Sequence, residues 1–594
     1  MNKQHQIEEE IKRYENECKP LITNSHFYSW LRIFCMVAAL VLAIYADQSK
    51  RSFGFVLAAL FLVLFSFLVI KHNDIKKQLR HAEAKIIVKK RILSRFSDQW
   101  HTEAKSLQCP EDDCIAYDLD LLGPDSLYAY ISFCATPFGK ARLMSLIRGE
   151  AADRKSILRR QDAIRELLQH EDLLLAYESG SVLFEQDAHH IKTQDLEALI
   201  AYSEKRTSLF PRWFVWFSML CAMLCISALI LAFCGLIPYG YSAVLLLVNL
   251  IISIIINGSS HNELSLSKDT ARILKDYDFL FQCVNDVKLK SPLLCELQKT
   301  MQDAERSMKR FNHILDIILL RNNVISYFVL SALLQFDVIC VRLLEQWRSH
   351  YGVAMRSWLE AAGDWEALVS LSVIAQVKHS WCFPEIIDNE EPLYEIKEGY
   401  HPLIAENKAV ANSIDLKSGS VIITGSNMSG KTTFLRTLGI AAMMAKAGAP
   451  VCAKQMRFTP MRVFTSMRVK DDVKSGISTF YAELLRIRQM MEAAKTKEPM
   501  IVLIDEIFKG TNSADRLLCA ETAIAKLHLP HVITLVSTHD FELCNLQDDP
   551  MIQAMNTHFS EYYQNDEIHF DYLLRDGRCT STNAKELMRL AGIV

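Results

Sequence analysis

The sequence predicts an α/β domain on a parallel sheet, at the C-terminal side of a mostly helical chain that also carries two apolar helical hairpins. Three observations predict it. Short apolar runs ("SVIITG", "MIVLIDE", "HVITLVSTHD") alternate with helical stretches after residue 391, and strands alternating with helices imply parallel pairing. Before that point apolar residues recur every three or four positions, the period of a helix with one buried stripe. Four apolar runs, each near the ~20 residues that a bilayer core requires, interrupt the helical part.

At about 100–200 residues per domain, 594 residues make three to five units. A net charge of -3 excludes a uniformly basic protein, so nucleic acid would need a local patch. The 16 cysteines are scattered. Cys35, Cys221, Cys225 and Cys234 lie in apolar runs, where a thiol acts as a small hydrophobe, and the set reads as reduced cytosolic thiols. Cys109 and Cys114 in "CPEDDC" have no second pair at zinc-finger spacing, so no metal site is expected there. The first 29 residues are polar and mixed in charge, unlike a cleavable signal peptide.

In chain order, 1–29 reads as a cytoplasmic segment and 30–70 as the first transmembrane hairpin, its runs 30–46 and 53–70 joined by "DQSKRS". A basic linker helix, 71–108, follows with "KHNDIKKQLRHAEAKIIVKKRILSRF". Its Lys and Arg residues beside a span mark the cytoplasmic side. Ile75, Leu79, Ile86, Ile87 and Leu93 are its candidate buried positions. Its basic face suits anionic lipid or a nucleic-acid backbone, with lipid favoured by proximity. Residues 109–390 form the helical domain, interrupted at 213–257 by the second hairpin (213–235 and 239–257). The apolar stretch 314–347 contains Asp316, Arg321, Asp337 and Arg342, so it reads as a buried helix pair and not a fifth span. Two hairpins leave both termini and the middle on one side. The expectation is a multi-pass protein of the cytoplasmic membrane, the bacterial inner membrane, with 391–594 in the cytoplasm.

The chemistry is concentrated in 391–594. Gly425-Ser426-Asn427-Met428-Ser429-Gly430-Lys431-Thr432 satisfies G-x-x-x-x-G-K-[ST] between a strand and a helix, the placement that gives the pattern its meaning. Backbone amides at a helix N-terminus receive phosphates, Lys431 reaches the β and γ oxygens, and Thr432 offers a hydroxyl to Mg²⁺. The strand "MIVLIDE" delivers Asp505 and Glu506 to the C-terminal sheet edge. Asp505 is expected to hold Mg²⁺ through water and Glu506 to orient or deprotonate the attacking water. His539, ending the third strand, is expected to sense the γ-phosphate.

"TGSNMSGKTT", "SGISTFYAELLRI", "LIDEIFKGTNSADR" and "STHDFEL" are similar, in order and spacing, to motifs of the MutS family of DNA mismatch-repair ATPases (TGPNMxGKST, STFxxEM, DExGxGTS, THxxEL). "DLDLLGPDSLYAYISFCATPFGKARLMSLIRG" resembles the opening of that family's helical core and lever domain, "WLEAAGDWEALVSLSVIAQ" its exit, and "YHPLI" the element that opens the ATPase domain. The resemblance implies an α/β P-loop ATPase domain (parallel sheet, ABC-like) joined to an all-α MutS core/lever domain, here with two transmembrane helical hairpins. It implies ATP and Mg²⁺ as cofactors, bound by 425–433 including Thr433. It also implies a homodimer with composite ATP sites, in which Ser478 reaches the partner's nucleotide and Asn412 and Asn427 lie near the chain's own. At the family's base-stacking position this chain has Ala409 or Val410.

The departures are equally specific. The first hairpin occupies the region where the family places its mismatch reader and connector, and the sequence ends about where a helix-turn-helix dimerisation segment would begin. The favoured expectation is a membrane-anchored MutS-like ATPase that couples ATP binding and hydrolysis to dimer closure and DNA binding, without mismatch-specific readout. The alternative is an ATP-driven membrane machine that does not act on nucleic acid. A conventional ATP-binding-cassette transporter fits less well, because the LSGGQ-type signature is missing and four spans are few.

Overall fold

The structure, a computed structural model, describes residues 3–579 except 50–51, 98–99, 102–106, 111–112, 151–152, 189–191, 206, 286, 469–478, 509–512 and 565–566. Helices α1 (Lys3–Ser49) and α2 (Ser52–Ser94) form an antiparallel pair. Gly54 meets Ala46 near the tip, and Lys89 pairs with Glu10 at the base. At 1.5 Å per residue each helix is about 65–70 Å long, roughly twice a bilayer core. Large exposed apolar side chains on this pair lie between residues 22 and 70, whereas Ile7, Ile11, Val88 and Ile92 join the protein core. Residues 3–29 and the start of the linker are therefore continuous with the spans, α1 running on through Pro20 despite the amide that proline lacks. The predicted buried positions Ile75, Leu79, Ile86, Ile87 and Leu93 are half-buried. Much of the linker's basic face is neutralised within the protein: Lys89–Glu10 (2.6 Å), Lys90–Glu15 (3.3 Å), Arg91–Glu185 (3.1 Å) and Arg80–Asp187 (2.7 Å).

The helical domain follows with α3 (Cys114–Asp118), α4 (Leu127–Ile131), α5 (Pro137–Ile147), α6 (Arg154–Leu167), α7 (Glu171–Ala188) and α8 (Thr193–Glu204). Asp113, Ser126, Thr136 and Asp153 cap α3 to α6 by accepting a backbone N–H of the first turn. Helices α9 (Arg212–Phe233) and α10 (Tyr239–Gln282) carry the second apolar pair. The first half of α10 exposes Val244, Leu247, Ile251, Ile254 and Ile255, and its far end buries Tyr277, Leu280 and Phe281 in the core. Helices α11 (Pro292–Leu319), α12 (Val324–Leu334), α13 (Phe336–Tyr351), α14 (Met355–Leu371) and α15 (Val373–Val377) complete the domain. Among the described residues four helices are long and apolar enough to cross a membrane, or five if one bent pair counts as a span.

The bend of that pair lies within 314–347, the stretch expected to be a buried helix pair. The chain turns by 83° at Gln335, which has left-handed backbone. Arg321 and Asp337 form a buried ion pair at 3.0 Å, as a buried helix pair requires. Helix α12, however, exposes Phe328 and Val329, and its last carbonyls accept from α10: Asn249 Nδ2 donates to Ala332 O (3.0 Å) and Ser253 Oγ to Ser331 O (3.1 Å). Its 11 residues, about 16 Å, reach only halfway through a bilayer.

The C-terminal region contains β1 (Glu385–Ile386), β2 (Tyr394–Gly399), β3 (Asn412–Leu416), β4 (Gly419–Thr424), α16 (Lys431–Ala447), β5 (Gln455–Phe458), β6 (Arg462–Ser466), α17 (Thr479–Ala494), β7 (Met500–Asp505), α18 (Ser513–Leu527), β8 (Val532–Thr538), β9 (Met555–His558), β10 (Glu561–Gln564), β11 (Glu567–Phe570) and β12 (Arg575–Asp576). The main sheet has the order β12-β9-β4-β8-β7-β6, parallel throughout except for edge strand β12. A second, mixed sheet, β1-β5-β2-β3, was not foreseen from the sequence. Alternate residues of the main strands point to opposite faces. Val421, Ile423, Ile501 and Leu503 share one core with the helical domain, and Ile422, Val502 and Ile504 share another with α17 and α18. Arg160 of α6 also caps α16, donating to Ala447 O (2.8 Å) and Lys446 O (2.9 Å).

A buried carboxylate fixes α5 on α14. Glu366 accepts from Ala135 N (3.3 Å), Thr136 N (3.2 Å), Thr136 Oγ1 (2.6 Å) and Ser181 Oγ (3.4 Å). Burial pushes its pKa up to about 7, against the pull of these donors. A Cβ added at Gly139 would collide with Glu366 Oε2. Glu366→Ala leaves the buried amides of Ala135 and Thr136 without an acceptor and is expected to cost about 3 kcal/mol, read as a lower thermal midpoint of the detergent-solubilised protein.

Candidate functional site

The loop between β4 and α16 passes through three left-handed residues, Gly425 (φ 148), Met428 (φ 68) and Gly430 (φ 107). A Cβ at Gly425 would stand 2.8 Å from both Phe559 O and Ser429 Oγ, so the tight turn there requires glycine. Met428 is 84% exposed at the crest. The loop curls over the N-terminus of α16, whose first amides have no acceptor within the helix. Ser429 Oγ is buried with no hydrogen-bond partner among the described residues, and Ser426 Oγ donates to Glu561 Oε2 at 2.8 Å.

The predicted catalytic and metal residues converge below this loop. Lys431 is buried, and its Nζ donates to Gly425 O (2.8 Å) and Ser426 O (2.9 Å), with His539 Nε2 at 3.5 Å. Thr432 Oγ1 donates to Asp505 Oδ2 (2.7 Å), and Ser537 Oγ donates to Asp505 Oδ1. Adjacent strands β7 and β8 therefore hold Asp505 facing the first turn of α16. The chain then turns left-handed at Glu506 (φ 51), whose N–H donates to Ser537 O (2.9 Å). Glu506 Oε1 stands 3.1 Å from His539 Nε2. Arg516 grips Asp540 with two bonds, at 2.7 and 2.8 Å, steadying the segment that carries His539.

A cavity of about 600 Å³ opens beside the loop. Asn427, Met428, Ser429, Gly430, Lys431, Thr432, Thr433 and Glu506 line it, with Ala409, Val410 and Asn412 on another wall. Gly425 and Ser426 act from behind, through the carbonyls that hold Lys431. Asn412 is bonded at both ends of its amide, Nδ2 donating to Tyr572 O (2.9 Å) and Oδ1 accepting from Leu574 N (2.7 Å). The expectation for Ser478 lies outside the described residues.

Sequence reasoning missed several walls: Phe559 and Tyr572, brought back by the strands after β8, and Lys408 and His401. Tyr572 packs on the loop, 3.2 Å from where a Cβ of Gly430 would lie. His401 belongs to "YHPLI", a signal that marked the region but not the wall. Burial lowers its pKa to about 4, so the imidazole is neutral near pH 7.

The donor set suits a nucleotide and a hard cation. Paired oxygens from Thr432 and Asp505 match a Mg²⁺ ion that keeps most of its waters. The glycine turn, buried Ser429 hydroxyl and buried ammonium suit phosphate oxygens. Residues 421–593 match the family model described as MutS domain V, so the chain carries a MutS-family ATPase domain alongside several long apolar helices consistent with membrane anchoring.

Proposed function

We propose that this protein is a membrane-anchored, Mg²⁺-dependent ATPase whose nucleotide cycle closes a homodimer and moves its apolar helices within the bilayer. The observation that supports catalysis is the convergence of Lys431, the Thr432–Asp505 pair and the Glu506–His539 pair at one sheet edge. Bound ATP with Mg²⁺ supplies the phosphoanhydride to be cleaved and the charge that offsets its oxygens. The amides of 427–432 and the N-terminus of α16 receive phosphate. Lys431 exchanges the carbonyls of Gly425 and Ser426 for phosphate oxygens. Thr432 and Asp505 would hold the metal, and Glu506 would take the proton of the attacking water while His539 orients its carboxylate. Tyr572 and Phe559 offer aromatic surface to the base, a role for which Ala409 and Val410 are too small. Ser478 completes the partner subunit's site.

The membrane part rests on α10, one uninterrupted helix from exposed apolar residues to the core of the helical domain. The apolar halves of both pairs cross the bilayer as hairpins, and the ATPase domain lies on the cytoplasmic face, where the Lys- and Arg-rich end of α2 emerges. DNA is a second reading, favoured by exposed Lys71, Lys76 and Lys77 on α2. Anionic headgroups compete for the same charges, and four other basic residues of α2 already have acidic partners.

Lys431→Ala is expected to weaken binding of a fluorescent ATP analogue more than about 100-fold, whereas Glu506→Gln retains binding and loses about 100-fold or more in kcat. Equal loss of binding in both variants contradicts the assigned roles. With Cys234 as the sole cysteine, an impermeant maleimide should label intact cells from outside, and labelling only after permeabilisation inverts the topology. Protein in lipid nanodiscs is expected to hydrolyse ATP at a rate unchanged by duplex, branched or single-stranded DNA. Salt-sensitive stimulation by any of these selects the second reading.

A further inference from the structure

The short turn after α3 touches three separate elements of the ATPase domain. Asp118 is fully buried and accepts from Met467 N, Arg468 N and Arg486 Nη1, each at 3.0 Å. Asp120, in left-handed backbone (φ 50), accepts from both Nη atoms of Arg468 (2.6 and 3.1 Å) and from Arg436 Nη1 (3.1 Å). Leu119, between them, is fully buried against α16 where Gly439 leaves room; a Cβ there would come 2.5 Å from Leu119 Cδ2. Three consecutive residues thus hold the helix that begins with Lys431 and Thr432, the exit of β6, and α17.

The other side of the turn leads to the membrane pair. Asp120 O accepts from Leu127 N (2.8 Å) and Leu121 O from Tyr128 N (3.0 Å), which sets α4. Tyr130 of α4 and Arg95, just past the end of α2, are buried and bonded reciprocally: Arg95 Nε donates to Tyr130 O (2.5 Å) and Tyr130 OH to Arg95 O (3.2 Å). Arg95 Nη1 also donates to Arg91 O (2.7 Å), at the last turn of α2.

We propose that the turn Tyr117–Asp120 couples the nucleotide site to the first apolar helix pair, with Asp118 and Asp120 as positioning residues for α16 and not catalytic ones. The inference rests on the ATPase reading above and adds a route that reading does not contain: α16 to Arg436–Asp120, to α4, to Tyr130–Arg95, to α2. Charge-assisted bonds fix direction as well as distance, so a shift of α16 on nucleotide binding moves Arg436 and draws Asp120 with it. The route is contiguous, and its test is energetic coupling between its ends.

Asp118→Asn risks unfolding, since it strands Arg486 in a buried site; Asp120, which is partly exposed, is the better target. The experiment uses the full chain in nanodiscs, with binding of Mg²⁺ and a non-hydrolysable ATP analogue, kcat, and hydrogen exchange across 81–94 of α2. Wild-type α2 should change its exchange when the analogue binds. Asp120→Asn is expected to keep analogue affinity within about twofold, lose that exchange response and lower kcat about tenfold, and Asp120→Glu should restore both. A wild type that binds no nucleotide removes the ATPase reading and this inference together. A wild type that binds nucleotide without any response in α2, an Asp120→Asn variant that responds normally, or one whose affinity and thermal midpoint fall in parallel overturns the inference alone.

Discussion

Beyond its first turn an α-helix bonds every backbone amide to its own carbonyls, and α10 keeps that ladder from Tyr239 to Gln282. Its exposed apolar half is therefore continuous with Tyr277, Leu280 and Phe281, which belong to the same extended core as Val421 and Leu503 of the main sheet. Asn249 and Ser253 bind α12 to the same rod, and α12 passes through Gln335 into α13. The second apolar pair is thus an extension of the helical domain rather than an attachment to it.

The site itself balances charge within a small volume. Asp505 and Glu506 are consecutive, and each carboxylate has its own hydrogen-bond partners. Asp505 has hydroxyls from Thr432 and Ser537, and Glu506 has the imidazole of His539. These partners come from the start of α16 and the end of β8, so the geometry depends on the register of β4, β7 and β8. Opposite Asp505 in β8 stands Ser537, whose backbone carbonyl also takes the amide of Glu506.

Much of this was legible in local pattern. The glycine spacing, the apolar strand ending in two acids and the threonine–histidine pair each lie within a few residues, and the structure brings them together. What escaped depends on tertiary packing. Tyr572 lies well over a hundred residues from the loop it covers, and no periodicity announces such a return. The basic run of α2 reads as a free cationic face until α1 and α7 supply Glu10, Glu15, Glu185 and Asp187. The break at Gln335 was hidden because its polar partners, Asn249 and Ser253, lie in a different apolar run.

Length turns the continuity of α10 into amplification. Pivoting a rod of about 66 Å by roughly 5° carries its far end about 6 Å, more than the ~4.8 Å between neighbouring strands. A tilt too small to disturb the packing around Tyr277 and Phe281 is therefore a displacement of several ångströms at Tyr239.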